Sequence, residues 1–175
     1  MTTEPAPLPI IEQRRIEARI LKHVYDVALA EHGQQAARAL LREAVTRSAI
    51  AQGEHFRQLL GRIPDLQDFA EALQHWTRED ALRIEVKQLS STQLDFDVTR
   101  CRYAEMYREM GLAEIGDLLS CNRDGAFCIG YNPAMEFQRS QTIMSGASHC
   151  DFRYRLAATA SSDGTAPATG SAVQI

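Results

Sequence analysis

Leu82-Arg83-Ile84-Glu85-Val86-Lys87 and, after Ser90-Ser91-Thr92, Leu94-Asp95-Phe96-Asp97-Val98 mark the point at which the chain changes its apolar period. Leu82, Ile84 and Val86 alternate with Arg83, Glu85 and Lys87, and the same alternation returns at Leu94, Phe96 and Val98. A period of two puts the apolar side chains on one face of an extended strand. The two runs therefore predict an antiparallel hairpin.

Everything before this hairpin has a helical period instead. Over residues 10–32, Ile16, Ile20, Val24, Val27 and Ala28 recur at helical spacing, with Arg14, Arg15, Arg19 and Lys22 elsewhere on the cylinder. Gly33 ends this amphipathic helix. A second helix over 34–60 is expected to bury Ala37, Leu40, Leu41, Ala44, Ile50 and Phe56, and to stop before Gly61 and Pro64. Asp65 reads as the N-cap of a third helix running to about Thr77, with Leu66, Phe69, Ala70 and Leu73 on its apolar face and Trp76 closing it. Long amphipathic helices pack on each other or on a partner. Ile16, Ile20, Val24 and Val27 are thus the candidate contact of a homodimer or larger homo-oligomer.

After the hairpin, residues 101–110 read as a helix broken by Gly111, residues 112–119 as another short helix, and Cys121 to Gly125 as a loop or turn. Strands are expected at 137–144 and 151–156, joined by Ser145, Gly146, Ala147 and Ser148. From residue 158 to 175 the chain is mostly Ala, Ser, Thr, Gly and Pro with no periodic apolar face, which predicts a disordered tail. The expected architecture is one α+β domain over 1–157. N-terminal amphipathic helices (10–80) pack on a small antiparallel sheet with short intervening helices (81–157).

Composition narrows the function. With 45% apolar and 24% charged residues the chain can build a core of its own. A net charge of −4, with arginines dispersed along helices, argues against a nucleic-acid partner. There is no apolar run long enough to span a bilayer, and Met1 to Pro9 lacks the apolar stretch of a secretion signal, so a cytoplasmic protein away from membranes is expected. Cys101, Cys121, Cys128 and Cys150 would then stay reduced. No two of them have the two-residue spacing that nucleates zinc sites, and no glycine-rich phosphate loop follows a strand, so neither a metal nor another cofactor is expected.

The second half carries an ordered series of short motifs: Thr99-Arg100-Cys101-Arg102-Tyr103-Ala104, Gly111-Leu112-Ala113-Glu114-Ile115-Gly116, Leu119-Ser120-Cys121-Asn122-Arg123-Asp124, Arg139-Ser140-Gln141-Thr142, and Gly146-Ala147-Ser148-His149-Cys150-Asp151-Phe152-Arg153. In order and spacing this series resembles the L-2-amino-thiazoline-4-carboxylic acid hydrolase family. The resemblance implies hydrolytic opening of a small cyclic amidine-like ring that carries a carboxylate. Gly146 to Phe152 also looks like the end of the small-molecule-sensing domains related to vinyl reductases, which bind ligands without hydrolysing them. A non-catalytic binding domain is therefore the alternative, and a metal-dependent hydrolase using Cys, His149, Asp124 and Asp151 is a third reading.

An amidine carbon is a poor electrophile, so its hydrolysis needs a strong nucleophile, a proton donor for the leaving atom and a charge to hold the substrate. Cys121, three residues before Asp124 in a polar segment, is the candidate nucleophile, with Asp124 as its base or orienting partner and His149 as the proton carrier. Cys101, at a helix start that favours a thiolate, and His55 are further candidates for the pocket. Arg139 and Arg153 are candidate forks for the substrate carboxylate. Each has a plainer alternative. Cysteine is also a small core residue, as Cys128 between Phe127 and Ile129 suggests; Asp124 can form a turn before Gly125; the histidines can be surface residues; and the arginines can sit on a solvated strand face.

Overall fold

The computed structural model describes residues 7–157, and the expected tail lies outside the described residues. Helix α1 (Ile10–Leu60) is broken at Gly33, whose φ of 80° and ψ of 170° belong to no helix. Glycine alone enters that region without steric cost. The two arms, 10–32 and 34–60, run antiparallel: Arg14 bonds Gln52 across them at 2.6 Å, and Arg123 reaches both Glu17 and Ser48. Ala18, Tyr25 and Ala28 on one arm and Ala37, Leu41, Val45 and Ala49 on the other are buried, and the small side chains let the backbones approach.

Ala28, Ala37 and Leu41 thus bear out part of the expected packing face, and the rest of it is corrected. Ile16, Ile20, Val24 and Val27 point to solvent, between 43% and 66% exposed, and Leu40 is 52% exposed. Ala44 is exposed as well, and Ile50 and Phe56 are half-buried. The alanine row, not the branched row, faces inward.

Asp65 caps α2 (Leu66–Ala72) through a reciprocal pair of bonds with Asp68, each side chain accepting from the other's backbone N–H. The expected third helix continues only as the single turn α3 (Gln74–Thr77). The hairpin forms as expected from β1 (Leu82–Leu89) and β2 (Gln93–Cys101), with Leu82 opposite Cys101 and Leu89 opposite Leu94. Helix α4 (Arg102–Glu109) follows, and Gly111 turns the chain with φ 70°.

Residues 112–115 are loop and turn in place of the start of the short helix expected at 112–119, and the C-terminal third departs from expectation in two further places. The segment read as a loop at Cys121–Gly125 is helical, with a wide turn at Asp117–Cys121 running directly into α5 (Asn122–Tyr131). The strand expected at 137–144 is shorter and earlier, β3 (Met135–Gln138), because the Asp151 carboxylate takes the backbone N–H groups of Ser140 and Gln141 and draws the chain out of the sheet. With β4 (Cys150–Leu156) the sheet has the order β1-β2-β4-β3, antiparallel throughout. Leu94, Phe96, Val98, Cys150, Phe152 and Tyr154 form its buried face, against α2 and α5. No helix among the described residues is long and apolar enough to cross a membrane.

Candidate functional site

The site is built where α5 starts. In the wide turn the Asn122 N–H reaches back five residues to the Asp117 carbonyl, while Leu118 and Leu119 anchor the turn in the core. The Asn122 amide then pins the start of α5 to the second arm of α1, donating to the Arg42 carbonyl at 3.2 Å and to Thr46 Oγ1 at 2.9 Å. Further along, Gly130 meets Gly53 so closely that neither could carry a side chain. Held at both ends, α5 presents Cys121 and Asp124, three residues apart, on one face.

That face looks into an interior cavity of about 90 Å³. Cys101, Cys121, Asp124, Arg139 and Cys150 all line it, and Phe96, Phe127, Phe152, Trp76 and Tyr154 supply apolar walls. The sheet's inner face and α5 thus enclose a small space with a few polar groups, the usual character of a small-molecule site.

Arg139, just after β3, is 12% exposed and pairs with the Asp124 carboxylate. Its second nitrogen donates to the Cys121 carbonyl at 3.1 Å, and its guanidinium lies 5.5 Å from the Phe137 ring centre and 5.2 Å from that of Phe152. The loop after it is fixed by Asp151, which accepts from Ser140 and Gln141. Asp124 lines the cavity and is half-buried, with 31% of its side chain exposed. Burial raises the proton affinity of this carboxyl, and the charge and hydrogen bond of Arg139 oppose that rise.

The thiols are all held in the neutral form. Burial, reinforced by the charge of Asp124, pushes Cys121 up to about 12, with Arg139 working in the opposite direction. Burial pushes Cys101 up to about 11 even though the Ala104 and Tyr103 N–H groups at the start of α4 favour its thiolate. The helix-start argument for Cys101 is right in sign and too small in size. Cys150, also raised by burial, accepts the Ile143 N–H at 3.2 Å, and Cys128 is buried against the Asp124 carbonyl outside the cavity.

The other expected site residues lie elsewhere. His149 is half-buried on the loop before β4, within 3.1 Å of Gln141 and 3.0 Å of Ser148, and is not part of the cavity wall. Arg153 alternates with the inward-facing Phe152 and Tyr154, so it lies on the other face of the sheet, where it pairs with Asp97 at 2.9 Å. His55 is exposed and borders a different void. Conversely, Arg14, Tyr103 and Arg123 line the cavity and had not been singled out. The signal for them was an arginine on the alanine face of its helix, which an amphipathic reading assigned to solvent. Among the described residues, no three His, Cys, Asp or Glu side chains stand together so as to hold a metal ion.

Comparison with known proteins agrees with the architecture. The sensory domain of the transcription activator PoxR, phenol-responsive and solved with phenol, superposes with a TM-score of 0.52 at 12% identity, over 82% of this chain and 74% of that one. A trafficking protein particle complex subunit 3 from Naegleria fowleri, covalently bound to palmitic acid, gives 0.50 at 12% identity over 83% of this chain and 96% of that one. Such identities establish likeness of fold alone. No curated protein matches the sequence. The family model described as L-2-amino-thiazoline-4-carboxylic acid hydrolase matches residues 13–154, and the chain therefore belongs to that family.

Proposed function

We propose that this protein is a hydrolase that opens a C–N bond in a small cyclic amidine or amide bearing a carboxylate, a reaction similar to aminothiazoline carboxylate hydrolysis. One observation carries the reading: Cys121, Asp124 and Arg139 share the wall of one partly open cavity in a chain of this family. In this mechanism Cys121 Sγ attacks the ring carbon as its proton passes to Asp124, whose burial makes it a stronger base than a surface carboxylate. The proton then moves to the ring nitrogen and the C–N bond breaks. Water next displaces the sulfur, adding its hydroxyl to the carbon and returning its proton to the thiol.

Arg139 orients Asp124 through their ion pair and opposes the rise in its proton affinity that burial causes. Proton transfer belongs to Asp124 in this scheme because His149 stands outside the cavity wall. The exposed row Ile16, Ile20, Val24 and Val27 supports a homo-oligomer. The four free thiols suit a cytoplasmic location.

A non-catalytic sensing domain is the second reading, favoured by the neutral state of every cavity thiol and by the fold shared with the PoxR sensory domain. Turnover separates the two. The purified protein is incubated with L-2-amino-thiazoline-4-carboxylate and related cyclic amidines while the ring absorbance is followed. Ring opening supports the hydrolase, whereas saturable binding with no product in any of them sinks it.

A further inference from the structure

Two arginines that the proposed chemistry leaves unused are buried beside the cavity. Arg14 is 5% exposed and Arg123 is 8% exposed, and both line the cavity wall. A buried guanidinium needs a compensating anion. Here the two share one: Arg14 Nη1 donates to both Glu17 carboxylate oxygens at 2.8 and 2.9 Å, and Arg123 Nη2 donates to Glu17 Oε2 at 2.8 Å. The remaining cavity arginine, Arg139, is matched by Asp124. Among the described residues, three guanidinium groups at the cavity thus share two carboxylates, which leaves the wall with an excess of positive charge. Burial and the neighbouring Arg14 accordingly push Arg123 down to about 10.

A second observation points to the same place. Tyr103 is 4% exposed and lines the cavity, yet its hydroxyl has no hydrogen-bond partner. Arg14 is close enough to favour the ionised form of that hydroxyl, although burial dominates. A buried polar group with nothing to bond is costly, and beside an unmatched cation it is a donor suited to an anion. Arg14 and Gln52, joined by a 2.6 Å hydrogen bond, also line a larger void of about 430 Å³.

We propose that Arg14, Arg123 and the Tyr103 hydroxyl form an anion subsite of the cavity that takes the ligand's carboxylate, in place of Arg139 or Arg153. The assignment rests on the reading of this cavity as the substrate site. A monoanion there restores the charge balance and gives Tyr103 its missing acceptor. Arg139 stays committed to Asp124.

The test is calorimetric titration of the full chain with two matched pairs whose rings are uncharged, 2-oxothiazolidine-4-carboxylate against 2-thiazolidinone, and benzoate against benzamide. The acid of each pair should bind at least about tenfold more tightly than its neutral partner. Arg14→Gln and Arg123→Gln should erase that preference while leaving affinity for the neutral compounds unchanged, and Arg14→Lys should restore part of it. Tyr103→Phe, which removes only an oxygen, should weaken the acids and spare the neutral compounds; it keeps the test decisive if an arginine variant fails to fold. Equal binding of acid and neutral partner, no binding by either pair, or acid preference that survives in folded variants overturns the subsite. Acid-selective binding without ring opening would sink the hydrolase reading and leave the subsite standing. Ring opening without acid preference would do the reverse.

Discussion

Gly53 on α1 and Gly130 on α5 meet backbone to backbone: a Cβ on Gly130 would lie 2.0 Å from the Ile50 carbonyl oxygen, and one on Gly53 would lie 2.2 Å from the Phe127 carbonyl oxygen. Neither obstacle is a flexible side chain that could swing away. The crossing therefore sets how close α5 comes to α1, and with it the position of Cys121 and Asp124 at the far end of the same helix. Gly130→Ala should cost at least about 2 kcal/mol, since overpacking a tight contact forces the backbone to move. Gly61→Ala is the comparison: Gly61 has φ 67° and open space around it, so its cost is the conformational one alone, about 1 kcal/mol. Chemical denaturation of the two variants checks the order, and equal losses would show that α5 has room to shift.

Cys121→Ser should lower ring-opening turnover at least about a hundredfold with little change in melting temperature, because it removes the sulfur while nearly keeping the side chain's size. Cys128→Ser should do the opposite, since Cys128 is buried outside the cavity, 2% exposed. If Cys121→Ser keeps its turnover and Cys101→Ser or Cys150→Ser loses it while staying folded, another thiol is the nucleophile.

The Asp124–Arg139 pair is buried enough that removing one partner strands the other. Asp124→Asn or Arg139→Met alone should destabilise the protein by about 3 kcal/mol, and the double variant by clearly less than the two losses combined. Urea titration of the four proteins measures the coupling. Additive losses would mean that the pair is held apart by solvent and contributes no mutual stabilisation.

Burial of the thiols makes alkaline pH destabilising. The folded protein keeps the protons of Cys101 to about 11 and of Cys121 and Cys128 to about 12, whereas an unfolded thiol releases its proton near 9.0. Between these values the unfolded state binds fewer protons than the folded one, so stability, complete below pH 9.0, falls as pH rises toward 11 and 12. Melting temperature followed from pH 8 upward should show this fall, and the Cys121→Ser variant should show a shallower one. Modification by iodoacetamide at neutral pH should be slow at all three positions. Rapid labelling of Cys121 in the folded protein would show a thiolate that its burial does not predict.

The division into a helical half and a sheet half was legible because it depends on local period, and the switch at Leu82 is unambiguous. The inward face of α1 was legible only in part. Ala37 and Leu41 are buried as expected, but Ile16, Ile20, Val24 and Val27 make the stronger apolar stripe of the first arm, whereas close packing of two arms and α5 favours small residues such as Ala18 and Ala49 at the core. Asn122 and Gly125 read as turn formers, yet Gly125 sits in a helix where a Cβ would come within 3.2 Å of the Phe137 ring. The grouping of Cys121, Asp124 and Arg139 could be suspected from spacing and resemblance. That of Arg14 with Arg123 could not, because it depends on an arm folding back on itself at Gly33.

The wide turn at Asp117–Cys121 also determines direction. A regular helix advances about 100° per residue, so closing one turn over five residues instead of four offsets everything downstream by roughly that angle. The offset acts as a phase shift: Leu118 and Leu119 within the turn pack into the core, while Asp124 beyond it lines the cavity. Deleting a single residue here would leave the composition almost untouched and rotate the carboxylate and its neighbours out of register with the sheet. An insertion of one position, kept in this turn, separates what the helix buries from what it turns toward the cavity.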